Sequence, residues 1–148
     1  LFRSGIRTAL QDRDAWFWCL HMGWWSDDQD PFIEQWNKAR SEIEAHPGPA
    51  YLMGDFNNPA DHRGEGYDVI CSSGYEDCFV RASERDEGYT VPGEIDGWRK
   101  GGAGAMRLDM VFARQKGRTL ASRTVLTGAQ DPCISDHFGV LDIEVVPE

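Results

Sequence analysis

The run Ala15–Met22 is apolar on both of its alternating sets, with Trp16, Trp18 and Leu20 on one and Phe17, Cys19 and His21 on the other. Side chains along a strand alternate between faces, so this pattern predicts a central strand covered on both sides. Cys19, inside the run, reads as a buried thiol. The strand ends at His21, just before Gly23-Trp24-Trp25.

The neighbouring segments say what kind of sheet receives this strand. Gly5–Leu10 reads as a short strand, followed by the polar turn Gln11–Asp14. Asp30-Pro31 opens a helix, with Asp30 as N-cap and Pro31 at the first helical position. Phe32, Trp36, Ala39 and Ile43 form its buried stripe, and Glu34 with Lys38 makes an i,i+4 pair. His46-Pro47-Gly48-Pro49 stops it. A second strand then runs into Gly54-Asp55-Phe56-Asn57, so the order is strand, helix, strand. Two short helices are expected over Gly66–Ser73 and Tyr75–Ser83, and Gly97–Gly104 reads as a mobile loop. Further strands are expected over Arg107–Arg114, Leu120–Leu126 and Phe138–Val146. In the last, Leu141, Ile143 and Val145 are expected to point inward and Asp142 and Glu144 outward. The fold class is α/β, a sheet with polar residues at its strand ends and helices on one side.

At 148 residues with 41% hydrophobic and 11% aromatic content, the chain can build one compact core. Its formal net charge of −10 disfavours non-specific binding to nucleic acid or an anionic membrane. The four cysteines show no zinc-ligand spacing and suggest no disulfide framework, which points to a reducing, cytoplasmic compartment. No stretch approaches the ~20 apolar residues of a membrane helix.

The chemistry gathers at strand ends. Asp55 and Asn57 would project together if the strand stays extended past Gly54; the same residues also suit a strand running into an Asx turn. His21 reads as a catalyst or as a hydrogen-bonded structural histidine. Asp109 alternates with Val111, and a lone buried carboxylate there would be costly unless paired. Asp136-His137 precedes the last strand. Together these residues offer a carboxylate for a cation, a base for water and donors for phosphoryl oxygens.

Gly54-Asp55-Phe56-Asn57, Arg107-Leu108-Asp109-Met110-Val111-Phe112 and Ser135-Asp136-His137-Phe138-Gly139-Val140, with His21 ending the preceding strand, resemble the endonuclease/exonuclease/phosphatase family. The resemblance implies a two-sheet α/β sandwich of the deoxyribonuclease-like type. This chain would supply its C-terminal half as a single partial domain, residues 1–148. The family's N-terminal half carries an Asn and a metal-ligating Glu that have no counterpart here. The resemblance further implies that His21 contacts the phosphate or protonates the leaving group. Asp55 orients or deprotonates water or helps bind metal, and Asn57 holds a phosphoryl oxygen. Asp109 pairs with His137, the phosphate contact or base, and Asp136 is a metal ligand. The cation implied is Mg²⁺ or Mn²⁺.

For the substrate, Trp24 and Trp25 border the site or belong to the core. Arg63 forks onto a phosphate or is a surface arginine, and Trp98 is a further candidate contact. Asp86–Val91 with Asp96-Gly97-Trp98 forms an acidic, aromatic loop that would repel a polyanionic duplex. His21–Trp25, Met53–Asn58 and Arg63–Asp68 resemble a bacterial branch of the family that includes maltose 6′-phosphate phosphatases. That implies a hydrolase acting on a small phosphorylated sugar. Cleavage of nucleic-acid phosphodiesters and a non-catalytic binding module are the alternatives. An uncovered sheet surface would permit self-association.

Overall fold

The computed structural model describes residues 3–10, 13–26, 29–93 and 104–145. In chain order these form β1 (Arg3–Leu10), β2 (Arg13–His21), α1 (Phe32–Glu44), β3 (Ala50–Asp55), α2 (Gly66–Ser72), β4 (Glu76–Asp77), α3 (Cys78–Arg81), β5 (Glu84–Arg85), β6 (Asp109–Ala113), β7 (Arg118–Val125) and β8 (Gly139–Val145). One sheet has the order β1-β2-β3-β6-β4 and the other β5-β7-β8. The class is α/β with two sheets, as expected. Trp98 and most of the expected Gly97–Gly104 loop lie outside the described residues.

β2 and β3 are parallel, so the chain must cross over between them, and α1 makes that crossing. Its stripe Phe32, Trp36, Ala39 and Ile43 is buried, joined by Gln35. Each of the large apolar side chains contributes roughly 1.5–3 kcal/mol by leaving water. The helix starts one residue later than expected. Pro31 is extended, with ψ 145°, and its carbonyl accepts from the N–H groups of Glu34 and Gln35 at 3.1 and 3.3 Å. A proline φ fits either side of a helix boundary, and ψ is what decides it.

The larger sheet buries its two faces unequally. Trp18, Leu20, Leu52, Met110 and Phe112 pack under α1 and α2. On the opposite face Ala15, Tyr51 and Ala113 meet Cys78 of α3, with Phe17, Met53 and Val111 partly buried around them. That cover thins towards the end of β2, where Cys19 and His21 are exposed. The expectation of a strand covered on both sides, with a buried Cys19 thiol, is therefore corrected. α3 and β8 pack against β6, two strands away from β2 in the sheet order.

Two further expectations change. The helix expected over Tyr75–Ser83 shrinks to Cys78–Arg81, because Glu76 and Asp77 first pair with β6 and the Asp77 carboxylate then caps α3 at Phe79 N–H, 3.0 Å. In β8 the two faces are reversed. Leu141, Ile143 and Val145 are 39%, 44% and 42% exposed. The Glu144 carboxylate, on the other face, is bound by Arg81 of α3 and by the Thr119 hydroxyl of β7. Alternation separates the two faces of a strand; the partly buried Arg81 decides which face turns inward.

Among the described residues no helix is long and apolar enough to cross a membrane. All four cysteines are free.

Candidate active site

The strand register builds the site. His21 is level with Asp55 in the parallel β2–β3 pair, and Asp55 is directly opposite Asp109 in the antiparallel β3–β6 pair. The three residues form one row across neighbouring strands, on the face opposite α1. Gly54 makes the row possible. Its φ is +133°, and a Cβ at this position would lie 2.0 Å from the Leu20 carbonyl oxygen, so only glycine permits β2 and β3 to approach here.

His137 reaches this row from the segment preceding β8. Its Nδ1 lies 2.8 Å from Asp109 Oδ2. A carboxylate can only accept, so Nδ1 carries the proton and Nε2 keeps the basic lone pair. Asp55, Asp109 and His137 bring their donor atoms within 4.8 Å of one another. His21 is 61% exposed at the edge of the row, with Nε2 3.6 Å from Asp55 Oδ2.

Two carboxylates directly opposite each other on adjacent strands repel. Burial pushes the Asp55 carboxyl above its ordinary value, the Asn57 N–H opposes this, and the neighbouring Asp109 adds to the rise. Such a row suits a bound cation or a moving proton, and oxygen donors favour hard divalent ions.

Asn57 is placed differently from the extended geometry. The strand ends at Asp55, and Asn57 has φ 48°. Its N–H donates to Asp55 Oδ1 at 2.8 Å, which is the Asx turn, and its side-chain amide donates to the Met22 carbonyl at 2.8 Å. Met22 N–H in turn donates to the Asp55 carbonyl at 2.9 Å. Asn57 therefore ties the end of β2 to the end of β3, and Asp55 is at once a turn acceptor and a member of the row.

The Endonuclease/Exonuclease/phosphatase family matches residues 2–137, a span that holds His21, Asp55, Asp109 and His137. The chain belongs to this family. Its fold is shared with an endonuclease/exonuclease/phosphatase family protein from Leptotrichia buccalis C-1013-b, at 26% identity and a TM-score of 0.80, over 96% of this chain and 53% of that one. A Bacteroides thetaiotaomicron VPI-5482 mannosyl-6-phosphatase matches at 22% identity and a TM-score of 0.60, over 92% of this chain and 53% of that one. A humanized D. rerio TDP2 matches at 15% identity and a TM-score of 0.62, over 92% and 57%. These two show the fold alone. The chain spans about half the length of the structures it matches. No curated protein sequence matches it significantly.

The other expected site residues of this family member are more scattered. Asp136 is exposed and accepts from the Ser135 hydroxyl at 3.2 Å, outside the Asp55–Asp109–His137 group. Trp25 is partly buried against the core, its ring 6.1 Å from that of Phe32, so it belongs to the packing. Trp24 is half-buried beside it. The Arg63 guanidinium is paired with Asp68 at 2.8 Å and lies over the Tyr67 ring.

Residues without an obvious sequence signal hold the site in place. Buried Asp77 accepts both Nη atoms of Arg107, at 3.2 and 2.6 Å, and the Tyr67 hydroxyl at 2.8 Å. Arg107 lies between the Phe79 and Tyr67 rings, 4.7 and 5.7 Å from their centroids, two residues before Asp109. Buried Asn58 accepts from Gly66 N–H at 3.2 Å and donates to the Phe56 carbonyl at 2.9 Å, joining the start of α2 to the end of β3. Arg107 and Asn58 fall inside the motifs Arg107–Phe112 and Met53–Asn58, whereas Asp77 falls inside the expected helix Tyr75–Ser83 and carries no signal of its own.

Proposed function

We propose that the intact protein is a divalent-cation-dependent phosphoester hydrolase that removes phosphate from a small phosphorylated sugar. The observation that carries this reading is the row of His21, Asp55 and Asp109, closed by His137 on Asp109 at 2.8 Å. In it, Asp55 orients the attacking water and His137 Nε2 accepts its proton. Asp109 holds the imidazole in the required tautomer and stabilises its protonated form. His21, exposed at the edge of the row, lends a proton to the departing sugar oxygen.

The residues suit a hard cation. The Asp55 and Asp109 carboxylates, with donor atoms within 4.8 Å of each other and of His137, would hold Mg²⁺ or Mn²⁺, whereas Asp136, the further expected ligand, stands outside that group. Such an ion would neutralise charge developing on the phosphoryl oxygens.

A sugar phosphate is supported by the net charge of −10, which disfavours a polyanionic duplex, and by the structural likeness to a mannosyl-6-phosphatase. Trp24, Arg63 and Trp98 are the side chains we assign to substrate binding. The free thiols suit a reducing cytoplasm. The exposed apolar side of β8 is the surface for self-association. The test offers the intact protein hexose 6-phosphates and supercoiled plasmid in parallel, with Mg²⁺ or Mn²⁺ and with chelator. Cation-dependent phosphate release with intact plasmid is expected. Plasmid nicking would move the assignment to a nuclease, and inactivity on both would remove the enzymatic reading.

A further inference from the structure

Thr90 lies in the stretch expected to form an acidic, aromatic loop, yet it is 0% exposed and its polar atoms reach two separate segments, residues 106–109 and Phe138. Its hydroxyl oxygen accepts from the N–H groups of both Leu108 and Asp109, each at 3.1 Å. Its own N–H donates to the Met106 carbonyl at 2.9 Å, and its carbonyl accepts from Phe138 N–H at 2.7 Å. One side is therefore fixed to the start of β6, which carries Asp109, and the other to the residue directly after His137. Asp109 is the first residue of β6, and its N–H turns to the Thr90 hydroxyl. Without that oxygen, the N–H groups of Leu108, itself buried, and of Asp109 lose their acceptor, and this part of the backbone must shift to find another.

We infer that Thr90 is a positioning residue that sets the Asp109–His137 pair, through its hydroxyl on one partner's backbone and its carbonyl beside the other's. This rests on the proposed hydrolase reading for its effect on rate, but the geometric claim stands apart from it. Thr90 touches neither side chain of the pair. Its action is to fix the separation and mutual orientation of two backbone segments from different sheets, so that Nδ1 and Oδ2 meet at 2.8 Å. A misplacement on the order of 1 Å at such a pair is enough for ~100-fold in rate.

The test uses the intact protein and reads the pair directly. A His137 Nδ1 proton held by a carboxylate gives a far-downfield proton resonance, assigned by its loss in His137→Gln. Thr90→Ser keeps the oxygen and is expected to retain that resonance and the parent rate. Thr90→Val keeps the shape without the acceptor and is expected to lose the resonance, with kcat down ~10- to 100-fold and KM little changed. A folded Thr90→Val with an unchanged resonance overturns the inference. Hydrogen exchange on the parent protein supplies a second reading that needs no variant. The Leu108, Asp109 and Phe138 amides should exchange together as one protected unit, and a Phe138 amide exchanging independently of the other two also overturns it. Loss of the resonance in Thr90→Val from a parent inactive on every phosphoester would sink the hydrolase reading and leave the positioning role standing.

Discussion

Asp55 and Asp109 stand directly opposite each other on adjacent antiparallel strands, two carboxylates where a sheet ordinarily avoids like charges. The arrangement costs stability and suits chemistry, and that conflict can be measured. In the absence of metal, Asp55→Asn should stabilise the fold, since burial and the Asp109 charge already disfavour its ionised form. The same variant should lose most phosphoester turnover. Urea denaturation in chelator checks the first outcome, and a less stable Asp55→Asn contradicts it.

Asp109→Asn should act on the imidazole. An amide can donate to Nδ1 and so favours the wrong tautomer, leaving no basic lone pair on Nε2. The rate should fall by at least ~100-fold with the fold intact. Circular dichroism and a rate measurement separate these effects.

Gly54→Ala should be among the most damaging changes of small size. The added methyl meets the Leu20 carbonyl oxygen at 2.0 Å, and its backbone sits at φ +133°. Strand separation must increase just before Asp55, so a loss of ~3 kcal/mol or more is expected. Parent-like denaturation would show that β2 and β3 do not approach as described.

Asp142 supplies the pH dependence. Burial raises its carboxyl from 3.8 to about 6, Ser122 opposes this and the charge of Glu144 adds to it. Because the folded state keeps this proton longer than the unfolded chain, its contribution falls as pH rises from about 4 to about 6 and is level above that. Asp142→Asn should flatten this part of the stability–pH curve and raise stability at pH 7, by at most roughly 3 kcal/mol. Denaturation midpoints across that range test it; an unchanged slope contradicts it.

The cysteines offer a simple check of the partly open sheet. Cys19 and Cys133 are exposed and should react with a thiol reagent in the native protein, whereas buried Cys78 should react only on unfolding. Slow native modification of Cys19 would restore the fully covered strand.

What was legible in the sequence follows from which forces are local. Continuous apolar runs placed β2 and β3, period-two alternation placed β6, and the helical stripe placed α1, because each pattern is complete within its own segment. His21, Asp55 and Asp109 could be read as strand ends for the same reason, although only pairing register puts them in one row. Asn57 shows the limit: a left-handed φ of 48° removes it from the alternation and turns its amide to Met22. The inward face of β8 was misread because Arg81, distant in sequence, supplies the partner that draws Glu144 inside. Thr90 left no pattern at all, since its role lies in four hydrogen bonds to the backbone of remote segments.

The most direct test compares phosphate release from a hexose 6-phosphate by the intact protein and by its His137→Ala variant, at saturating Mn²⁺ and matched folding. The row closed on Asp109 predicts a rate lower by about two to four orders of magnitude in the variant. Equal rates in the two proteins would contradict it.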